Sequence, residues 1–418
     1  MKKIVALLLA ALLAVSCISF AAAEDAITLD VIICQYGPNT QEWFLGSGMN
    51  GTNFVAKFEA ANPGIKLNLQ VVSWNDVYSE VSTRLSNNNA PDILNLDTFA
   101  DYQTEGLLMP VSDYCSAETY AKFFPAFLEQ SKVNDVVWAV PDLASIRPMY
   151  YNVDIFKEVG IEVPTTWAEL EDACQAIKDY YNGNVYPWGI DMTTDEGQAA
   201  FTYYIANNNG KFLDADGNWA LNCPENVQAL EFAINLYKKG YTNPNPATQT
   251  RYDLQDMFGA GKLAMVIGPN MSTYLKDKGY TVNYADAALP HNEGASVGAL
   301  GVMDRVMAFK DDTAPDQAAR NAAIGKFIDA FYADEDYSAW VTMEGFLPAT
   351  QAGAEFMVKA DPTFQKWLDM VAGAAFYPTA KAEWIDVKQG VINVEQRALQ
   401  GEDVKTLLDE LQAQITKK

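Results

Sequence analysis

Histidine and positive charge are scarce in this chain, and paired cysteines are missing. Its 418 residues hold one histidine, 29 Lys and Arg against 54 Asp and Glu, and a formal charge of -25. Each scarcity removes a class of function. The lone His291 cannot join a second histidine in a zinc cluster. A Ser-His-Asp or Cys-His site would have to rest on it alone, between Pro290 and Asn292, neighbours that read as loop. No C-x-x-C occurs, so neither a zinc ribbon nor a thioredoxin-type redox pair is supported. Beyond the leader, Cys34, Cys115, Cys174 and Cys223 are widely spaced. They read as isolated thiols, with one disulfide left open in an oxidising compartment. The acidic balance repels nucleic acid and anionic lipid. No apolar run after the leader approaches the roughly 18 residues that a membrane span needs.

The N-terminus is expected to be removed. Met1-Lys2-Lys3 is a short cationic start, Ile4 to Val15 an apolar core, and Ala21-Ala22-Ala23 an A-x-A cleavage site before Glu24, so residues 1–23 read as a secretory signal peptide. Ala14-Val15-Ser16-Cys17 offers a competing lipobox, whose Cys17 would be lipidated and kept. Ala14 is a weak first residue for that motif and the tether before Ile27 would be short, so cleavage after Ala23 is the expected route. Either way the protein is exported, to the periplasm or another extracytoplasmic space, as a soluble or lipid-tethered chain.

A chain of this length defaults to two domains, since single cores stop growing near 250–300 residues. Ile27 to Cys34 is a strand-length apolar run. Phe54, Phe58 and Ala61 fall at helical spacing, Ile65 to Val71 alternate as a strand, and Asn75 can cap a helix carrying Val77, Val81 and Leu85. Pro91 to Leu96 restarts a strand, completing a strand-helix alternation that marks an open α/β sheet. The pattern returns later. Thr166 and Glu169 form a capping box, Pro224 starts an amphipathic helix, and Leu263 to Ile267 is a buried strand. In open α/β sheets ligands bind beyond the carboxyl ends of strands, so the loops after Cys34, Val72, Leu96, Ile190 and Ile267 are the ones to watch.

Two tempting motifs fail. Gly259 to Met265, "GAGKLAM", has Leu263 where a phosphate-binding loop needs a hydroxyl after Lys262. Asp214 to Trp219, "DADGNW", places Gly217 too early for a calcium loop and lacks the bidentate glutamate, so it reads as a turn. No cofactor and no metal are expected.

Six segments in order carry a resemblance: "FEAANPGIKLNLQVVSWNDVYSEVSTRLSNNNAPDILNL", "GLLMPVSDY", "WAVPDLASIRPMYYNVDIFKEVGIEVPTTWAELEDA", "NCPENVQALEFAINLYKKG", "MFGAGKLAMVIG" and "EGFLPA". Together, from about Ile27 to Leu399, the chain resembles bacterial extracellular solute-binding proteins of family 1, the sugar receptors of ABC importers related to maltose-binding protein. The resemblance implies an α/β fold of two lobes, the type II periplasmic-binding-protein fold, with each lobe an open sheet flanked by helices and joined by hinge crossings. It places one lobe at residues 27–143 plus 297–343 and the other at 147–292 plus 347–418. Crossings are expected at Pro141 to Pro148, His291 to Val297 and Glu344 to Pro348. The implied partners are a small-molecule sugar or oligosaccharide and the permease subunits of the importer, with the receptor itself a monomer. The competing reading is a secreted glycoside hydrolase or lyase with paired carboxylates; 54 acids supply many pairs and no short motif fixes one.

Sugars need aromatic platforms for their C–H faces and charged or amide groups for their hydroxyls. Trp74 ends the second strand at the sheet's carboxyl edge. Tyr36, Glu42 and Trp43 follow the first strand, Asp97 the third, and Asp191 follows Ile190. Arg147 sits in the first expected crossing, where it could fork onto vicinal hydroxyls or a uronate carboxylate. The resemblance adds Tyr377 and Trp384, in the "YPTAKAEWIDV" segment where the family often places a stacking ring. Asn270 is a departure, since Gly268-Pro269-Asn270 stands where the family frequently reads G-x-W. Trp138, Trp167, Trp340 and Trp367 are assigned to packing.

Overall fold

Two strands of eight residues, β1 (Ile27–Cys34) and β2 (Ile65–Val72), pair in parallel along their whole length. Parallel pairing needs a crossover, and the helix Phe54–Ala61 supplies it by packing Phe54 and Phe58 inward. This is a computed structural model that describes residues 26–48, 51–269, 271–371 and 374–417. The expected leader, Cys17 and Asn270 therefore lie outside the described residues.

Further strands of the chain are β3 (Ile93–Leu96), β4 (Val140–Ile146), β5 (Met149–Asn152), β6 (Tyr186–Gly189), β7 (Leu263–Ile267), β8 (Tyr284–Ala287), β9 (Leu300–Ala308), β10 (Leu347–Pro348) and β11 (Ala375–Phe376). The larger sheet has the order β10-β4-β9-β3-β1-β2, with β11 alongside β9. The smaller sheet has the order β8-β5-β7-β6. A two-stranded hairpin, Lys132–Val133 with Val136–Val137, stands apart.

The side chains sort into separate cores. One gathers β1 to β4 with the helices Gln317–Phe331 and Asp334–Glu344, around rings such as Phe44, Phe54, Phe327, Phe331 and Trp340. The other gathers the helices Trp167–Tyr181, Gly197–Ala206, Pro224–Lys238, Trp384–Leu399 and Val404–Ile415. A smaller apolar group, Leu254, Phe258 and Val266 among it, fills the other side of the small sheet. Two α/β lobes result.

Three stretches pass between them. β4 lies in the large sheet and β5 in the small one, with only Arg147 and Pro148 between. β9 is a single strand shared by both lobes: Leu300 and Val302 pack in the second core, Met303 and Val306 in the first. The third passage differs from expectation. Leu347, Ala349, Met357 and Val371 belong to the first core, and the chain joins the second only at Tyr377. The helix Gln351–Ala360 follows Thr350, a good N-cap, which folds the chain back onto the lobe it came from.

Local signals are otherwise as read. Thr166 and Glu169 form the capping box, and Leu213 bridges Trp219 across the turn. Trp167 packs, stacked on Phe232 at 4.2 Å. Asn75 does not cap its helix; the N-cap is Asp76, and Asn75 accepts a hydrogen bond from Thr194 Oγ1 of the other lobe at 3.0 Å. Cys34, Cys115, Cys174 and Cys223 are all free thiols.

Candidate functional site

The carboxyl ends of β1, β2 and β3 face the loop after β6 and the end of β7 across a cleft. Tyr36, Trp74 and Asp97 come from the first set; Asp195, Glu196 and Pro269 come from the second. Ser145, Arg147, Val302 and Asp304, from the crossing segments, form the floor. Gln198, Arg251, Phe346 and Lys388 complete the lining. The space between is about 30 Å³, room for little more than a water molecule or two. Direct bonds also bridge the lobes outside it: Tyr252 donates its hydroxyl to Gln35 O at 3.1 Å, and Asn39 Nδ2 donates to Asp277 Oδ2 at 2.8 Å.

The first-lobe wall is aromatic. Tyr36 meets Trp74 edge-on at 5.7 Å between ring centroids and Phe346 at 5.3 Å. Its hydroxyl turns inward and donates to Asn95 Oδ1 at 2.9 Å, so the phenol presents its ring rather than its polar end. Asp97 is held by Tyr78, which donates to Oδ1, and by Lys388 Nζ, 3.0 Å from Oδ2.

The second-lobe wall is charged. Asp195 and Glu196 precede the helix Gly197–Ala206, in a turn tightened by Thr193 N donating to Asp191 Oδ1 and Asp195 N donating to Thr193 Oγ1. Arg251 starts the helix Arg251–Gly259, directly after a Thr250–Asp253 capping box. Glu196 Oε1 lies between two guanidinium groups, 3.1 Å from Arg147 Nη2 and 3.3 Å from Arg251 Nε. Arg251 also approaches Asp195 Oδ2 at 3.6 Å and lies over the Tyr252 ring at 4.4 Å.

These buried groups leave atoms without hydrogen-bond partners: Nε and Nη1 of both Arg147 and Arg251 as donors, Asp195 Oδ2, Glu196 Oε2, Gln198 Oε1 and Asp304 Oδ1 as acceptors. Buried polar atoms are normally paired, and each orphan costs about 1–3 kcal/mol. Arg251 Nε and Asp195 Oδ2 keep only their longer ion-pair contacts, and together with the other six, around one small space, they form a surface able to bond to something else. Burial raises the Glu196 carboxyl against the pull of both arginines. Asp304 sits where the register of β9 against β4 shifts, between Met303 and Arg305. A bulge re-aims a side chain, here into the cleft. Burial and the neighbouring Asp97 push the Asp304 carboxyl up to about 7, against the lowering effect of Arg147.

Four of the expected site residues, Tyr36, Trp74, Asp97 and Arg147, meet in this cleft. Asn270 lies outside the described residues, and the remaining five do not line it. Asp191 lies beneath it, buried in the second lobe beside a separate space of about 20 Å³, with its carboxyl raised by burial and by Asp195. Glu42 is exposed and accepts from Ser47 N at 2.7 Å, and Trp43 packs against the first core. Trp384 is a core residue, 1% exposed, stacked on Tyr377 at 5.0 Å and edge-on to Phe212. Tyr377 shares that stack, with a buried hydroxyl lacking a partner.

Asp195, Glu196, Gln198, Arg251, Asp304, Phe346 and Lys388 were missed. Asp304 and Lys388 did carry a signal: Asp304 stands with Arg305 in the otherwise apolar strand "LGVMDRVMA", and Lys388 stands among Trp384, Val387, Val391 and Ile392 on its helix. A charge at such a place is either paired or functional. Among the described residues, no group of three or more His, Cys, Asp or Glu side chains could hold a metal ion.

Comparison with known proteins bears on the fold and the family. A binding protein of Brucella abortus (strain 2308) is 27% identical over 370 residues, 88% of this chain and 85% of its own length. The fold matches an ABC transporter solute-binding protein of Thermotoga lettingae TMO bound with alpha-D-tagatose, at 20% identity and TM-score 0.79, covering 94% of this chain and 99% of that one. It also matches maltose-bound MalE3 of T. maritima, at 19% identity and TM-score 0.79 over the same shares. This is the two-lobed periplasmic-binding-protein fold. The family model described as bacterial extracellular solute-binding protein matches residues 51–337, and the chain belongs to that family.

Proposed function

We propose that the protein is the extracytoplasmic receptor of an ABC importer, and that it captures a neutral polyhydroxy compound, a sugar, polyol or short oligosaccharide, between its lobes. The observation that carries this reading is the balance of the orphan atoms, four donors and four acceptors around one space. A hydroxyl both donates and accepts, so a polyol answers both kinds at once. A uronate would engage the arginines but would set its carboxylate against Asp195, Glu196 and Asp304. Trp74 and Phe346 supply ring surface for C–H faces. The tagatose- and maltose-bound neighbours are consistent with this chemistry.

The lobes we assign are residues 27–144 with 303–371, and 149–302 with 377–417, hinged at Arg147-Pro148, within β9, and between Phe376 and Tyr377. Extended segments absorb backbone rotation without breaking helices. Ligand bonds to both walls stabilise the closed form, and only the part of the affinity that depends on closure shifts the population. The closed monomer would then dock on the permease. Cleavage after Ala23, or lipidation of Cys17, would deliver it to its compartment. A glycosidase needs one carboxyl poised as a proton donor beside a second, free one. Asp304, with its raised carboxyl, could serve as the donor. Its neighbour Asp97 is held by Lys388 and Tyr78, however, and Glu196 is held by two arginines, which leaves neither as the free second carboxylate and suits binding without a covalent step.

The test is a thermal-shift screen over neutral sugars, polyols, uronates and peptides, followed by small-angle scattering of each hit. A raised melting temperature with a neutral saccharide or polyol, and a smaller radius at saturation, are the expected results. Stabilisation by uronates or peptides alone would overturn the reading.

A further inference from the structure

Lys388 belongs to the second lobe by its helix and to the first by its bonds. Its side chain is 6% exposed. It reaches across the cleft to Asp97 Oδ2 at 3.0 Å and donates to the Tyr78 hydroxyl, which donates on to Asp97 Oδ1. Its ammonium lies 4.2 Å from the centroid of the Tyr78 ring. Asp97 and Lys388 line the cleft of about 30 Å³. Tyr78 lines a different space, about 440 Å³, together with Ser82, Asp101, Glu105 and Ile385. Ile385 lies one turn before Lys388 on the same helix. The three bonded side chains are thus a partition between a small space and a larger, polar one that also offers the Tyr102 ring.

We propose that Lys388, clamped on Asp97 and Tyr78, sets the length of ligand the receptor accepts by closing the binding cleft off from this second compartment. The proposal rests on the saccharide reading above. A second sugar ring joined to one already in the cleft can extend into the larger space only by displacing the ammonium and taking over the hydrogen bonds of Asp97 and Tyr78. A buried charge pair resists this, because parting it leaves two unpaired charges out of water. A single ring or short polyol also needs the lobes to part before it can enter the cleft of about 30 Å³, but the pair can re-form beside it once they close. The larger compartment has what a further ring would use, hydroxyl and carboxylate groups beside aromatic rings.

The experiment compares the wild type with Tyr78→Phe, Lys388→Met and the neutral double variant Asp97→Asn/Lys388→Met, which leaves no lone buried charge should the single variant fail to fold. Calorimetry with glucose, mannose, xylose and ribitol, against maltotriose, mannotriose and xylotriose, gives the ratio of trisaccharide to monosaccharide affinity. The wild type should favour the short probes. The Lys388 variants should raise the ratio tenfold or more, and Tyr78→Phe should move it the same way by less. A loss of packing alone would weaken both classes together and leave the ratio in place. A wild type that prefers trisaccharides, or folded variants with an unchanged ratio, would overturn the gate while leaving the receptor reading intact. If no probe binds the wild type or any variant, the receptor reading falls and the gate with it.

Discussion

On the first-lobe side of the cleft, Tyr36, Trp74 and Phe346 brace one another ring against ring, and the polar atoms of Tyr36 and Asp97 are already engaged. Opposite them, Arg147, Asp195, Glu196, Gln198 and Arg251 keep buried atoms with no partner. The first wall's side chains are engaged with one another and with Lys388 from the second lobe; the second wall is charged and incomplete. Shape is therefore fixed by one lobe, and hydrogen-bond demand is held by the other. A ligand meeting only the first wall gains apolar contact. One that also meets the second relieves several orphaned atoms at once, and that difference favours closure.

The largest effects come from removing what holds the incomplete wall together. Arg251→Ala takes one guanidinium from Glu196 and Asp195 and leaves carboxylates buried in unbalanced company. Breaking such a pair costs about 3–5 kcal/mol, which should appear as a lower midpoint in urea unfolding, with ligand affinity down a hundredfold or more. An unchanged midpoint would show that the second wall is not under electrostatic tension. Trp384→Ala should lose a similar 3–5 kcal/mol, as a large core ring does, while any folded protein keeps its affinity within about threefold. Trp74→Ala should do the reverse. Trp74 is half-buried at the cleft, so affinity should fall tenfold or more, about 1.4 kcal/mol, with the melting temperature nearly constant. If both tryptophans shift stability alone, the aromatic wall is core and not platform.

The contrast between those two tryptophans, both expected at the ligand, marks what could be read from the chain. The rule that ligands gather beyond strand carboxyl ends pointed to the loops that bring Tyr36, Trp74 and Asp97 to the cleft, because strand periodicity is local and strong, but it did not single out Asp195 or Glu196 on the loop after Ile190. Trp384 was misjudged because a helix's apolar stripe shows which face is buried and not what buries it. Here the partners are Tyr377 and Phe212 of the same lobe. Lys388 and Asp97 are separated by 291 positions, and their pairing exists only once two lobes have folded and met. Arg251 looks like any first-turn residue after a capping threonine. The third crossing was misplaced because "EGFLPA" ends a helix, and a helix end looks alike whether the chain then leaves the lobe or turns back.

Smaller per unit of change is the pH response of the floor. Asp304 faces Asp97 and Asp142, with Tyr36, Arg147 and Arg305 near it, and burial foremost holds its carboxyl up at about 7. An unfolded aspartate titrates near pH 3.9. Between about pH 4 and 7 the folded chain therefore keeps a proton that the unfolded chain has lost. The contribution of Asp304 to stability falls as pH rises through that window, by at most about 1.4 kcal/mol per unit, and levels off above 7. Asp304→Asn removes this term, since an amide does not titrate. The variant's urea midpoint should follow a flatter course from pH 4 to 7 than the wild type, with the two curves nearest at the acid end. Parallel curves would mean that Asp304 titrates in the cleft as it does in water.

Finest of all is a probe of the joint between the walls. Tyr252 carries the Arg251 guanidinium on its ring and sends its hydroxyl across to Gln35 O. Tyr252→Phe keeps the ring under Arg251 while deleting the hydroxyl, and with it the bond to Gln35 O that exists only when the lobes touch and a contact to Arg251 within the second wall. A hydrogen bond of this kind contributes about 0.5–1.5 kcal/mol net. Because the bond belongs to neither core, the loss should fall on closure: ligand affinity lower by about two- to twelvefold, the urea midpoint unmoved, and a larger scattering radius at partial saturation. Were the midpoint to drop with affinity unchanged, Tyr252 would be bracing its own lobe, and the two walls would be less independent than their separate cores imply.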